Sequence, residues 1–315
     1  MYPIIVSHLT KSYRGHVVVD DLTFVARPGR VTGFLGPNGA GKSTTMKILL
    51  DLAAADSGTT AIGDRRYRDL VDPIRTVGVV LEPNAFHPGR SGRNHLRVLA
   101  DAAGISTSRV DEVLELTGIA EAANRRVGAY SLGMRQRLSL AAALLGDPPV
   151  LVLDEPGNGL DPQGIHDLRT LLRGRAATGH TVFVSSHLLA EVEQLADDLV
   201  VVDRGRLVTT GPLSALQRGS VTVRSPEADA LAPTLRAAGG VVDHAGAHTL
   251  TVRDLTPDRI GDLAFGARIR LHELATSSGS LEDLFLSWTS HASSSVPAQI
   301  APASQAGAPK EVVPS

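Results

Sequence analysis

One glycine-rich stretch constrains this chain more than any other. Gly36-Pro37-Asn38-Gly39-Ala40-Gly41-Lys42-Ser43 fits the pattern G-x-x-x-x-G-K-[ST], and Thr44 follows. The run before it, Val31 to Leu35, is short and apolar, as a buried strand is. The run after it, Lys42 to Leu52, carries Met46, Leu49, Leu50 and Leu52 at helical spacing. Glycines let successive backbone N–H groups turn inward around an anion. The helix that opens at Lys42 points its positive end at the same place. Lys42 adds a full charge, and the Ser43 hydroxyl suits magnesium. The stretch therefore reads as a phosphate cradle. Alone it does not separate a GTPase, a kinase, a helicase or a transporter ATPase.

The rest of the chain alternates strand and helix signals. Ile4 to Leu9 and Val17 to Val25 alternate apolar and polar residues and predict antiparallel strands. Val150 to Leu153, Thr181 to Ser185 and Leu199 to Val202 are apolar runs of strand length. Helical spacing covers Arg93 to Ile119, Ser131 to Leu145, Pro162 to Arg175 and Leu188 to Ala196. This order predicts an α/β fold with a parallel sheet, preceded by an antiparallel one. After Gly219 the texture changes. Strands are predicted at Val221 to Arg224 and Thr249 to Arg253, and helices at Leu231 to Ala238, Pro257 to Phe265 and Leu281 to Trp288. The expected division is a main domain over 1–218 with a helical subdomain at about 84–145, a small α+β domain over 219–289, and a disordered tail over 290–315, rich in Ala, Ser and Pro.

Two of the apolar runs end in reactive side chains. Val150 to Leu153 runs into Asp154 and Glu155. Adjacent carboxylates at the end of a buried strand call for a nearby cation, because desolvating two like charges is costly. Asp154 is assigned to magnesium, and Glu155 to preparing the attacking water. Val182 to Ser186 ends in His187, at the strand edge where open α/β sheets bind ligands. His187 is assigned to the terminal phosphate. His87, His95, His244, His248 and His272 have no such setting and are read as ordinary residues.

Bulk properties narrow the classes. The 315 residues carry a formal charge of −2, which gives no footprint of a nucleic-acid binder. There are no cysteines, so disulfides, zinc thiolates and cysteine nucleophiles are excluded. No stretch approaches the ~18 apolar residues of a membrane span, and no secretory leader is read at the start. Action at a membrane would need another chain to cross it.

Taken together, these motifs resemble the nucleotide-binding subunits of ABC transporters, in particular those of two-component ABC-2-type exporters. Ser131-Leu132-Gly133-Met134-Arg135-Gln136-Arg137 is similar to the family's LSGGQ signature, with Tyr130 in the leading Leu position. Gly157-Asn158-Gly159-Leu160-Asp161 resembles its D-loop, His187 its switch histidine, and Tyr13 the aromatic that stacks on adenine. The resemblance covers Ile4 to Leu216 and implies ATP and Mg2+ as ligands. It also implies a homodimer sandwiching two ATP molecules, with Ser131 and Gly133 facing the nucleotide of the other subunit. A transmembrane permease subunit would hold the chain at the inner face of the cell membrane.

Departures from the family pattern fall at two places, Glu82 and the run Leu132-Gly133-Met134, where a double glycine and glutamine are usual. Glu82 stands where a magnesium-binding Gln is usual, so metal binding is expected to persist with added negative charge beside the γ-phosphate. Met134 replaces a Gln and lacks its hydrogen bonds. The region from Glu82 to Leu96 is expected to receive the membrane subunit, and Ser280 to Phe285 resembles the ending of exporter subunits. The leading expectation is ATP hydrolysis that drives export. The alternatives are a low-turnover regulatory or self-immunity protein, and a non-transport ABC ATPase.

Overall fold

The computed structural model describes residues 1–81, 86–216 and 220–277. The strands are β1 (Ile4–Tyr13), β2 (His16–Ala26), β3 (Val31–Leu35), β4 (Ser57–Ile62), β5 (Val77–Val80), β6 (Val150–Asp154), β7 (Thr181–Ser186), β8 (Asp198–Asp203), β9 (Arg206–Pro212), β10 (Ser220–Arg224), β11 (Val241–Gly246), β12 (Thr249–Arg253) and β13 (Glu273–Ser277). The helices are α1 (Lys42–Leu49), α2 (Pro73–Thr76), α3 (Gly92–Ala102), α4 (Thr107–Leu116), α5 (Leu132–Leu144), α6 (Pro162–Ala177), α7 (Leu189–Leu195), α8 (Leu213–Leu216), α9 (Ala228–Ala237) and α10 (Pro257–Gly266).

The central sheet runs β5-β6-β7-β3-β8-β9. It is parallel except for β9, which pairs antiparallel with β8. Every residue of β3 and β7 is buried, and β6 and β8 are buried up to their last residue. Burial on both faces explains why these strands read as continuous apolar runs. The order sets β7 between β3 and β6. The residues that follow these three strands therefore emerge side by side at one carboxyl edge, where open α/β sheets carry their ligands.

A second sheet, β2-β1-β4, is antiparallel. Burial alternates along the second half of β2, so one face is covered and the other is wet. The covered face joins α1 and the main sheet in one core containing Phe24, Phe34, Phe183 and Met46. The three phenylalanine rings stand 5.2 to 5.5 Å apart, centroid to centroid. This core anchors the start of α1 and hence the phosphate loop.

The predicted helical stretch from Arg93 to Ile119 is two helices. It breaks at Gly104, whose φ is +59°, and restarts where Ser106 caps α4 by accepting the Ser108 N–H. α3, α4 and α5 share a core of Leu96, Val110, Leu114, Leu138 and Leu144.

From β10 onward the order is strand, helix, two strands, helix, strand, and the sheet runs β11-β12-β10-β13, antiparallel throughout. This is the split βαβ arrangement. Its apolar cluster, including Val223, Leu231, Leu235, Leu250, Val252 and Ile260, draws its members from residues 221 to 274. The expected helix at Leu281 to Trp288, the run Ser280 to Phe285, Glu82 and the tail beyond Ser290 lie outside the described residues.

Candidate nucleotide site

The loop after β3 is glycine for steric reasons that sequence alone does not show. A Cβ on Gly36 would sit 2.4 Å from the Val202 carbonyl oxygen, and one on Gly41 would sit 2.6 Å from that of Val18. Gly41 also has φ +100°, a region that side chains avoid. It is the N-cap of α1 and gives no side-chain cap, so the first N–H groups of the helix keep their capacity for an anion. Lys42 is 6% exposed, and its ammonium donates to Gly36 O at 2.7 Å and to Pro37 O at 3.3 Å. Burial pulls the ammonium's pKa below the usual lysine value, against the opposing pull of Glu155 and Asp154. A cavity of about 210 Å³ opens here, lined by Val18, Asn38, Gly39, Gly41, Lys42, Ser43, Thr44 and Glu155. Pro37 is half-buried and Ala40 is buried beneath the loop.

Glu155 of the acid pair lines this cavity beside the loop. Asp154 ends β6 in register with Ser185 of β7, and the Ser185 hydroxyl donates to Asp154 Oδ1. The chain then turns sharply, since Glu155 has φ +49°, and the Glu155 N–H donates to Ser185 Oγ at 3.0 Å. This turn brings Glu155 Oε2 to 2.7 Å from His187 Nδ1 and Oε1 to 3.8 Å from the Lys42 ammonium. Glu155 thus links the phosphate-loop lysine and the histidine after β7. The Ser43 hydroxyl and the Asp154 carboxylate are oxygen donors, the chemistry a hard divalent cation takes. The metal assignment of Glu82 falls outside the described residues.

The remaining predicted residues sit elsewhere. Ser131 caps α5 by accepting the Met134 N–H at 3.2 Å, and Asp161 caps α6 by accepting the Gly164 N–H at 3.0 Å. Ser131, Gly133, Met134, Gly159 and Asp161 line a second cavity of about 650 Å³, which shares no lining residue with the first. Gly133 and the D-loop touch within the chain, for a Cβ on Gly133 would meet Gly159 O at 2.7 Å. Tyr13 is 46% exposed near the β1–β2 turn and lines neither cavity; the Lys11 ammonium lies 5.1 Å from its ring centroid. Tyr130, in the signature's leading position, is a core residue whose hydroxyl donates to Ala122 O at 2.7 Å.

Sequence reasoning missed two residues. Ser185 reads as one small residue in an apolar strand, and only its register against Asp154 reveals it. Gln136 is 3% exposed and donates to Pro156 O at 3.0 Å, joining the signature helix to the residue after Glu155. Its polarity on the buried face of an Ala- and Leu-rich helix is the signal that marks it.

A parallel sheet whose carboxyl edge carries a phosphate loop, an acid pair and a histidine defines a nucleoside-triphosphate hydrolase fold. Residues 19–158 match the family model described as ABC transporter, and residues 219–282 match a domain of unknown function. The chain is 40% identical over 213 residues to a bacitracin transport ATP-binding protein of Bacillus licheniformis, covering 67% of this chain and 70% of that one. It is 37% identical over 205 residues to a lantibiotic transport ATP-binding protein of Streptococcus pyogenes, covering 64% and 88%. A solved ATP-binding subunit of an ABC transporter superposes with a TM-score of 0.62 at 30% identity, over 68% of this chain and 92% of that one. The chain belongs to the ABC transporter family, as an ATP-binding subunit, and it binds and hydrolyses ATP.

Proposed function

We propose that the chain hydrolyses ATP in a head-to-tail homodimer and thereby drives export of a drug, peptide or lipid-like molecule through a separate membrane subunit. The observation that carries this reading is the contact of Glu155 with both His187, at 2.7 Å, and Lys42, at 3.8 Å, beside the phosphate cavity. Loop amides from Gly36 to Thr44 and the Lys42 ammonium bind the phosphates and stabilise charge that builds there. Glu155 orients water and takes its proton. His187, bonded to Glu155 in this geometry, is placed to exchange that partner for the terminal phosphate. Ser43 and Asp154 hold Mg2+, which when bound neutralises charge on the outer phosphates.

The second cavity supports the dimer. It carries Ser131, Gly133 and Asp161 at two helix N-termini yet has no residue in common with the phosphate loop of its own chain. In the dimer, this cavity of one chain is assigned to the nucleotide held on the phosphate loop of the other. Tyr13 supplies a face for adenine. No described helix is long and apolar enough to cross a membrane, which is why a permease is assigned the crossing and this chain the inner face. Export is the favoured direction because a further relative, 40% identical over 211 residues, is named for Nod factor export.

The test is Mg2+-dependent ATPase activity of wild type beside Glu155→Gln, with size-exclusion chromatography in ATP. Turnover in wild type, a loss of about 100-fold or more in the variant, and a dimer of the variant trapped by ATP are expected. Wild-type turnover surviving in Glu155→Gln would sink the assignment of Glu155. A variant that binds ATP yet stays monomeric would sink the sandwich.

A further inference from the structure

The turn at Glu155 needs an explanation that the nucleotide motifs do not supply. A glutamate at φ +49° sits in the left-handed region, which costs a side-chain-bearing residue free energy and persists only where neighbours hold it. The turn also takes the chain out of the parallel ladder, whose last pair between β6 and β7 is Asp154 with Ser185. The Glu155 N–H then has no strand carbonyl to meet, and an unpaired amide at this depth is costly.

Ser185 answers both needs. Its side chain is 0% exposed. A serine hydroxyl offers one donor and two acceptor positions. Here it accepts the Glu155 N–H at 3.0 Å and donates to Asp154 Oδ1. On the other side of Glu155, its carbonyl accepts the Asn158 N–H at 3.2 Å. The left-handed residue is therefore pinned at both its amide and its carbonyl. The pinned backbone aims Oε2 at His187 and Oε1 toward Lys42.

We infer that Ser185 is a positioning residue for ATP hydrolysis: one buried hydroxyl sets the carboxylate of Asp154 for the metal and the backbone turn of Glu155 for the water. Two carboxylates with different tasks are thus indexed to a single atom of the adjacent strand, two residues before His187. The inference rests on the metal role of Asp154 and the water role of Glu155 proposed above.

The test uses the full chain with Ser185→Ala and Ser185→Thr, which keeps the hydroxyl and suits a strand. Three quantities are read: kcat and KM for ATP, Mn2+ affinity with a non-hydrolysable ATP analogue by electron paramagnetic resonance, and melting temperature. Groups that orient metal-bound carboxylates are worth about 10- to 100-fold when removed. Ser185→Ala is expected to lower kcat and Mn2+ affinity by about that factor, with KM for ATP within about twofold, and Ser185→Thr to recover most of both. A Ser185→Ala protein with a lower melting temperature but unchanged kcat and Mn2+ affinity overturns the inference, because the hydroxyl is then structural only. A threonine variant no better than alanine overturns it too. Glu155→Gln and Asp154→Asn run alongside. If both are inactive while Ser185→Ala matches wild type, Ser185 alone fails; if Glu155→Gln retains turnover, the reading beneath it fails first.

Discussion

Lys42 carries two demands that pull against each other. Its charge must face a polyphosphate, and its side chain is 6% exposed in a fold that must pay for that burial before any phosphate arrives. The carbonyls of Gly36 and Pro37 and the nearby acids offset part of the cost, yet desolvation wins and the pKa falls below 10.5. The sign of the resulting pH effect follows. Between the folded-state pKa and 10.5 the unfolded chain holds more protons on this group than the folded one does. Stability therefore rises with pH across that window. Urea unfolding of wild type and Lys42→Met at several pH values isolates this group. The wild-type stability minus the variant's is expected to climb as pH goes from neutral toward 10.5. A flat or shrinking difference would mean the ammonium is not destabilised by burial. Gly133 makes a related point about conflicting demands. The family resemblance explains its glycine by phosphate contact, while the packing adds a second cause, the Gly159 carbonyl at 2.7 Å from any added Cβ.

Helix starts do double duty at the scale of elements. α5 and α6 begin with Ser131 and Asp161, each bonded to the amide three residues on. The same two residues line the second cavity. Pro162 occupies the first turn of α6, where its missing N–H costs nothing. Asp161→Ala, measured without nucleotide, is expected to destabilise by about 1 kcal/mol. The urea midpoint should fall at constant slope, and Asp161→Asn should restore it, because asparagine caps as well as aspartate. A midpoint unmoved by the alanine would show that the cap bond contributes nothing net.

Among the described residues, the apolar clusters fall into two groups along the chain. The clusters around the main sheet, the antiparallel sheet and the helical subdomain use residues up to Leu216, and the cluster of the last sheet starts at Val221. We propose that residues 1–218 and the small domain that follows are separate folding units. Leu250 is 0% exposed in the later cluster. Leu250→Ala should cost that unit about 2–5 kcal/mol. Calorimetry of the full chain is expected to show two transitions, with the variant lowering one and leaving the ATP-stabilised one in place. A single transition that moves as a whole would join the two units into one.

Features that neighbouring residues settle among themselves can be read from the order of amino acids. The phosphate loop, the strand that feeds it, the helix that leaves it, the acids at the end of β6 and the histidine after β7 are each contiguous, and each was legible. The strands that escaped reading, β4, β9, β11 and β13, share one property: each is an edge of its sheet. An edge strand has one neighbour and more water, so its side chains need not follow the apolar pattern that marks a central strand. The order β5-β6-β7-β3-β8-β9, and with it every contact made across strands, is set by how the folded chain packs. Ser185 lies 31 residues from Asp154 in the chain and one strand away in space. The separation of the two cavities, and the meeting of Gly133 with Gly159, are decided at the same level. Strand pairing depends on which buried faces fit together after long loops close, and no run of adjacent residues encodes that by itself.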